Sequence, residues 1–508
     1  MSRIERASKN IKYGYLGTLL TLALKFISRT VFIYTIGVTY LGVNGLYTNI
    51  LSVLSFAELG IGTAMNYSLY KPIAENNVEK IKALMFLYKK AYRWIALVVS
   101  FTGLFFIPFL SIIVKDPTGI SLFELRVFYL IFLFNTVSSY FVSYKYSLVN
   151  ADQKNYIETS IRTMSMIFTT IMQVLVLYFL KSFLIYLIVA ALVELGQKIF
   201  ANTYINKRYP YLLDKEVNKL SPMEIKNIKR DIKALVYHKI GEISVHQTDN
   251  IIISSFINVT TVGIVSNYTL IITSITSLIN VMFNSIVSSF GNLIATEDVN
   301  KQFKMFKVYR FVGFWFYGFA TSGFLILINP LIQIWLGPNM LISRIVVCLI
   351  LVDYYFKGHR IVINNFKIAA GVFDADKHIA IIQSIVNLVI SILMVRIIGL
   401  PGIYIGTIIQ GLVSTFTKPV IVYKRIFQRS SKEYYKDSLI YLSVLCLSIL
   451  ILEVLKRIIL IEITISSFII MSFLVLIVPN LVFMVFLRNR EEFIYLRKLI
   501  LGRFKKQK

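Results

Sequence analysis

Cysteine is nearly missing from this chain: Cys348 and Cys446 are the only two in 508 residues, and each sits inside an apolar run. Two isolated thiols offer neither a disulfide framework nor a metal-ligand spacing. Histidine is scarce too, with four residues and no HExxH pattern. No GxxxxGK[ST] phosphate loop occurs, so the sequence carries no signature of nucleotide hydrolysis. A GxSxG elbow and a Cys/His nucleophile constellation are absent as well. Asp374-Ala375-Asp376 has the form of a metal-binding DxD, but no nucleotide-binding domain surrounds it, and it reads as a solvated loop. Neither a cofactor nor a metal is expected, and the chain does not read as an enzyme.

Negative charge is the other shortage. There are 26 acidic residues against 54 Lys and Arg, a formal net charge of +28. In a soluble protein that balance would suggest nucleic acid. Here the cations cluster in short segments between apolar runs, where they act as topology signals and contacts for anionic membrane lipids. Nucleic-acid binding is therefore not expected.

What the chain has in plenty is hydrocarbon. Hydrophobic residues make up 56% and the mean hydropathy is +0.70, above the roughly 45–50% apolar content of soluble domains. A spanning helix needs roughly 20 mostly apolar residues. About fourteen runs qualify: 14–37, 44–69, 91–114, 122–147, 159–180, 183–204, 234–257, 262–293, 307–329, 341–368, 377–397, 400–423, 437–456 and 463–487. They are too long and continuous for barrel strands. The fold class is thus all-α, a polytopic membrane protein. Twelve spans remain an alternative if the last two are misread.

Lys and Arg set the orientation. The segments holding Arg3 to Lys12, Lys71 to Arg93, Lys207 to Lys233, Lys301 to Lys307, Lys424 to Lys432 and Arg488 to Lys508 fall on one side. The opposite loops are short and carry little charge. The positive-inside rule puts both termini in the cytoplasm. The basic, polar N-terminus runs directly into a long span without a cleavage site, so no removed signal peptide is expected.

The longest polar segment, 205–233, carries Ile225, Ile228 and Ile232 at helical spacing and suits a helix lying on the membrane surface. It divides the chain into a six-helix bundle over 1–204 and a second over 234–423. An extra helix pair and a basic tail follow over 424–508. The stretch 40–65 resembles 256–282 in hydropathy and in Gly/Tyr/Asn placement, and 146–161 resembles 366–385. Two parallel repeats related by an axis along the membrane normal are therefore expected.

Several spans carry charge, which is costly in a bilayer: about 2.5–3.5 kcal/mol per residue on insertion scales. Lys25 and Arg29 lie one turn apart on the first span. They suit an anion such as a diphosphate, or else an ion pair with Glu58 of the second. Glu242, His246 and Asp249 form one face of the seventh span; such a row can carry a proton or a sodium ion, or can be a packing row. Asp353, Lys357, Arg360, Asn364 and Lys367 step by four, three, four and three along the tenth, the cleanest stripe in the chain. It reads as cavity lining, although Lys367 and Arg360 could instead snorkel. Asp353 joins the coupling-ion candidates. Thr273, Ser277, Asn280, Asn284 and Ser288 form an uncharged polar face on the eighth, suited equally to helix packing and to sugar hydroxyls. Asn135, Ser139 and Ser143 of the fourth read as helix packing, and Glu194 as one half of a local salt bridge.

The runs LALKFISRTVFIYTIG (22–37), YLGVNGLY (40–47) and FAELGIGTAMNYSLYKPIAENN (56–77), with the loop LVNADQKNYIE (148–158), resemble the Wzx-type polysaccharide flippases of the multidrug/oligosaccharidyl-lipid/polysaccharide exporter superfamily. The resemblance in architecture covers the whole chain, and the motifs about a fifth of it. It implies alternating-access movement of an undecaprenyl-diphosphate oligosaccharide across the cytoplasmic membrane of a bacterium. A polysaccharide polymerase and glycosyltransferases would be partners. Under that reading Lys25, Arg29, Lys357 and Arg360 hold the diphosphate in a vestibule between the two halves. Asn280 and Asn284 contact sugar, and Glu242, His246, Asp249 and Asp353 handle a coupling ion. Two rivals are a membrane polymerase or lipid-dependent glycosyltransferase, disfavoured by the short outer loops, and a cation-coupled drug exporter, disfavoured by the basic stripes.

Overall fold

The computed structural model describes residues 3–58, 61–214, 217–218, 220–230, 232, 248–372, 377–459 and 462–506. Hydrocarbon offers no partner to a backbone N–H or C=O, so each spanning segment must satisfy its own. The described residues accordingly form helices and no strand.

The N-terminal half holds α1 (Arg3–Ile36), α2 (Val38–Leu54), α3 (Ile61–Ala74), α4 (Val78–Phe106), α5 (Leu122–Ala151), α6 (Asn155–Leu180) and α7 (Phe183–Arg208). Then come α8 (Asp249–Phe256), α9 (Val259–Thr296), α10 (Val299–Leu336), α11 (Arg344–Ala369), α12 (Lys377–Ile398) and α13 (Leu400–Val422). The chain closes with α14 (Lys432–Ile459), α15 (Ile465–Leu487) and α16 (Glu491–Lys506).

Eleven helices among the described residues are long and apolar enough to cross a membrane. Each of the three other expected spans has its own reason for falling short. The tenth, α11, has the length at 26 residues, but Asp353, Lys357, Arg360 and Lys367 interrupt its apolar surface. Of the seventh, 233–247 lie outside the described residues and α8 is the described remainder. The second differs from the single run expected over 44–69. It starts earlier, at Val38, and gives way after Leu54 to a 3₁₀ turn, Ser55–Glu58, before α3. The Ser55 hydroxyl donates to the Leu51 carbonyl at 2.7 Å, and Tyr140 donates to Ser55 Oγ at 2.8 Å. A hydroxyl bonded back to the preceding turn is a known cause of helix bending.

Two compact units result, Met1–Gly263 and Ile264–Lys508. In the first, α2 and the opening turn of α9 cross at backbone distance. A methyl added at Gly42 would collide with the Val259 carbonyl oxygen, and one at Gly263 with that of Val38. The Thr39 and Thr260 hydroxyls meet across this crossing at 3.0 Å. Small residues allow such approach, and hydroxyls fasten it. Residues 222–230 are helical with Ile228 buried. This linker is tied to the start of α4 by Lys80–Glu224 at 2.5 Å and Lys82–Asp214 at 3.2 Å.

The second unit is built around α10. Its Phe311 and Phe314 join Tyr355 of α11, Tyr441 and Leu445 of α14, and Phe483 and Leu487 of α15 in one buried cluster. The C-terminal pair therefore shares a core with α10 and α11. Glycines again bring backbones together between α12 and α13, where Gly402 faces Met394 and Gly406 faces Ser391.

Candidate functional site

The largest cavity described in the first unit has a volume of about 640 Å³ and lies among α2, α5, α6 and α7. One wall is a polar row that runs along α2 into the 3₁₀ turn: Asn44, Thr48, Ser52 and Ser55, spaced by four, four and three. Thr48 donates to the Asn44 carbonyl at 2.7 Å, and Ser52 to that of Thr48 at 2.8 Å. Facing this row are Asn135, Thr136 and Ser139 of α5, Gln173 of α6 and Glu194 of α7. Asn135, Ser139 and Ser143 read in sequence as helix packing; the first two line this cavity and Ser143 a second one. Glu194 makes the local salt bridge that its isolation suggested, with Lys198 at 3.5 Å.

Glu58, in the 3₁₀ turn, borders this cavity and also a second one of about 330 Å³. The second cavity is lined by Asn66 and Tyr92 and by the pair Arg162–Glu158, whose Nε–Oε1 distance is 2.7 Å. Asn150 donates to the other Glu158 oxygen at 2.8 Å. The break after α2 thus stands where the two polar spaces meet.

Arg29 is half-buried beside Tyr186, which lines the larger cavity. Lys25, one turn away, is exposed. Glu58 was the alternative partner for these cations. Instead it lies with Tyr92 and Arg162, which line the second cavity with it. Glu242 and His246 lie outside the described residues; Asp249 opens α8.

On α11 the stripe is largely answered by protein. Lys357 pairs with Asp353 at 2.7 Å. Arg360 is buried and donates to the Gly411 carbonyl and, at 2.7 Å, to Thr415 Oγ1, both on α13. Arg360, read as cavity lining with snorkelling as the alternative, instead packs against α13. Lys418 donates to Asn364 at 2.9 Å, and Lys367 is buried. Lys357, with its side chain 36% exposed, is the most open of the three cations in the stripe. Asn280 accepts from Tyr317 of α10 at 2.9 Å, a helix-to-helix bond. The side chain of Asn284 lies outside the described residues.

Sequence reasoning passed over the α2 row and the Arg162–Glu158 pair. Thr and Ser at helical spacing were legible in 44–55, but their polarity is masked by the leucines and valines between them. The signal in Asn155–Leu180 is the pair Glu158 and Arg162, four residues apart at the start of a span.

No family model matches the sequence, and no curated protein matches it. Solved structures share its fold. The lipid II flippase MurJ, in an inward closed conformation, aligns with a TM-score of 0.66 at 15% identity, over 94% of this chain and 99% of that one. An inward-facing multidrug resistance MATE family transporter of the MOP superfamily gives 0.58 at 12% identity, over 80% and 94%. The Vibrio cholerae MATE transporter VcmN gives 0.56 at 13% identity, over 84% and 99%. The chain is a multi-pass α-helical membrane protein with the fold of MurJ and the MATE transporters.

Proposed function

We propose that this protein is a flippase that carries an undecaprenyl-diphosphate-linked oligosaccharide from the inner to the outer leaflet of a bacterial cytoplasmic membrane, for surface polysaccharide assembly. The observation that carries the reading is the 640 Å³ polar cavity of the first unit, with its row Asn44, Thr48, Ser52 and Ser55. Its volume falls in the range of about 300–1,000 Å³ typical of ligand sites. Amides and hydroxyls at helical spacing match a chain of sugar hydroxyls far better than a hydrophobic drug. The fold it shares with a lipid II flippase supports the same reading.

In this scheme the sugar occupies the polar cavity while the lipid tail stays in the bilayer. Arg29 and Lys25 take the diphosphate. Arg360 serves α11–α13 packing. Glu242, His246 and Asp249 exchange the coupling proton or sodium ion. Glycosyltransferases supply the substrate and a polymerase consumes it. The acidic pair Glu58 and Glu194 in the cavity wall is the feature that would suit a cation-coupled drug exporter instead.

The test measures lipid-linked oligosaccharide at the outer leaflet of cells that depend on this protein. Asn44→Leu with Ser52→Leu, and separately Arg29→Ala, should lower it at least tenfold while the protein remains inserted. Normal export by both variants, or cation-drug efflux with no effect on the glycan lipid, overturns the proposal.

A further inference from the structure

A third cavity of the first unit differs in character from the two above. It encloses about 280 Å³ and is bounded by Lys89 and Arg93 of α4, Lys145 of α5, and Asn202 and Asn206 of α7. Lys89 and Arg93 are four residues apart, as are Asn202 and Asn206, so each pair shares one face of its helix. Three cations line the space, and its described lining holds no carboxylate.

Lys145 is the informative residue. It is buried, 5% exposed, and its ammonium donates to Asn202 Oδ1 and Asn206 Oδ1 at 2.5 Å each. Lys198 and Lys307, which are also sheltered, each have a countercharge, Glu194 and Glu433. Lys145 has amide oxygens, which orient it without neutralising it. An ammonium has three donors, and two are spent on these amides. Burying a charge is costly unless an opposite charge accompanies it. Here the arrangement leaves one donor and one uncompensated charge beside Lys89 and Arg93.

The rim identifies the source of the missing anion. Phe141 and Leu213 line the same pocket and are exposed. An apolar lip next to a cationic floor fits a molecule with an acyl chain joined to a phosphate. Under the positive-inside orientation the pocket opens on the cytoplasmic side, where anionic lipids concentrate. Tyr140 borders both this pocket and the large polar cavity, so the two are separated by one ring.

We propose that the pocket between α4, α5 and α7 binds the phosphate group of an anionic lipid from the cytoplasmic leaflet, at a site distinct from the polar cavity. The proposal does not depend on what that cavity carries.

The experiment titrates the full-length protein in dodecyl maltoside with phosphatidylglycerol, phosphatidylcholine or inorganic phosphate and reads the melting temperature. Phosphatidylglycerol should raise it in a saturable way, and phosphatidylcholine should not. The variant Lys89→Gln/Arg93→Gln, which spares the buried Lys145, should need at least tenfold more phosphatidylglycerol for half the shift. Lys90→Gln/Lys226→Gln removes the same charge from exposed positions off the pocket and should titrate like the parent. An equal shift from inorganic phosphate at the same concentration overturns the lipid assignment. Equal titrations for the two double variants, or no preference for phosphatidylglycerol over phosphatidylcholine, overturn the site.

Discussion

A guanidinium shut away from water depends on its protein neighbours, and Arg310 shows which ones this chain supplies. It is 2% exposed. It donates to the Tyr434 carbonyl and to Ser438 Oγ at 2.6 Å each, lies 3.7 Å above the Tyr434 ring and stands 3.6 Å from Asp437. Arg490 reaches the other Asp437 oxygen at 2.8 Å. Breaking such a buried arrangement from one side costs about 3–5 kcal/mol. Arg310→Met should therefore lower the unfolding free energy by about that much, read as a fall in melting temperature of the purified protein. The pair Arg344–Glu453 is shorter, at 2.6 Å, but Arg344 is 60% exposed. Arg344→Gln should change stability by less than about 1 kcal/mol. Equal losses for the two variants would contradict the account. The partners of Arg310 were not legible in the sequence, because they lie more than a hundred residues away. By contrast Asp353 and Lys357 stand one turn apart, so the spacing of their ion pair is present in the sequence, although it was read as cavity lining.

At the scale of helices, apolar length gave most spans to within a few residues, because a bilayer leaves the backbone little choice. The interruption after α2 escaped notice, since it depends on one back-bonded serine and a tyrosine from α5. The glycine crossing also escaped: Gly42 and Gly263 are far apart in sequence, and only the fold brings their backbones together. That crossing carries a prediction. With Cys348 and Cys446 replaced by serine, Thr39→Cys/Thr260→Cys should form a disulfide on mild oxidation, because their hydroxyls already stand 3.0 Å apart. Adding Gly42→Ala should cut the yield severalfold, scored by mobility on a non-reducing gel. An undiminished yield would mean the helices can part without loss of contact.

At the scale of the molecule, the C-terminal helix pair reads in sequence as an addition to two six-helix halves. Structurally it is part of the second unit: its Tyr441, Leu445, Phe483 and Leu487 are buried with Phe311 and Phe314, and its Glu433 faces Lys307 together with Glu492 of α16. Hydropathy marks a helix as lipid-compatible but does not say which neighbour it prefers, which is why this dependence was invisible. A chain ending at residue 431 strips Arg310 and Lys307 of these partners. It should accumulate at less than about a tenth of the parent level, measured by fluorescence size-exclusion chromatography. A monodisperse truncated protein at parent level would make the pair a true appendage.

One property of the α2 row bears on what the cavity will accept. Thr48, Ser52 and Ser55 each give their proton to a carbonyl one turn back, so toward the open space they present lone pairs only. Such a surface greets guests that arrive with O–H or N–H groups and turns away those rich in bare oxygens. A donor-rich guest would therefore suit this row, and an anion would suit the cationic pocket of Lys89, Arg93 and Lys145.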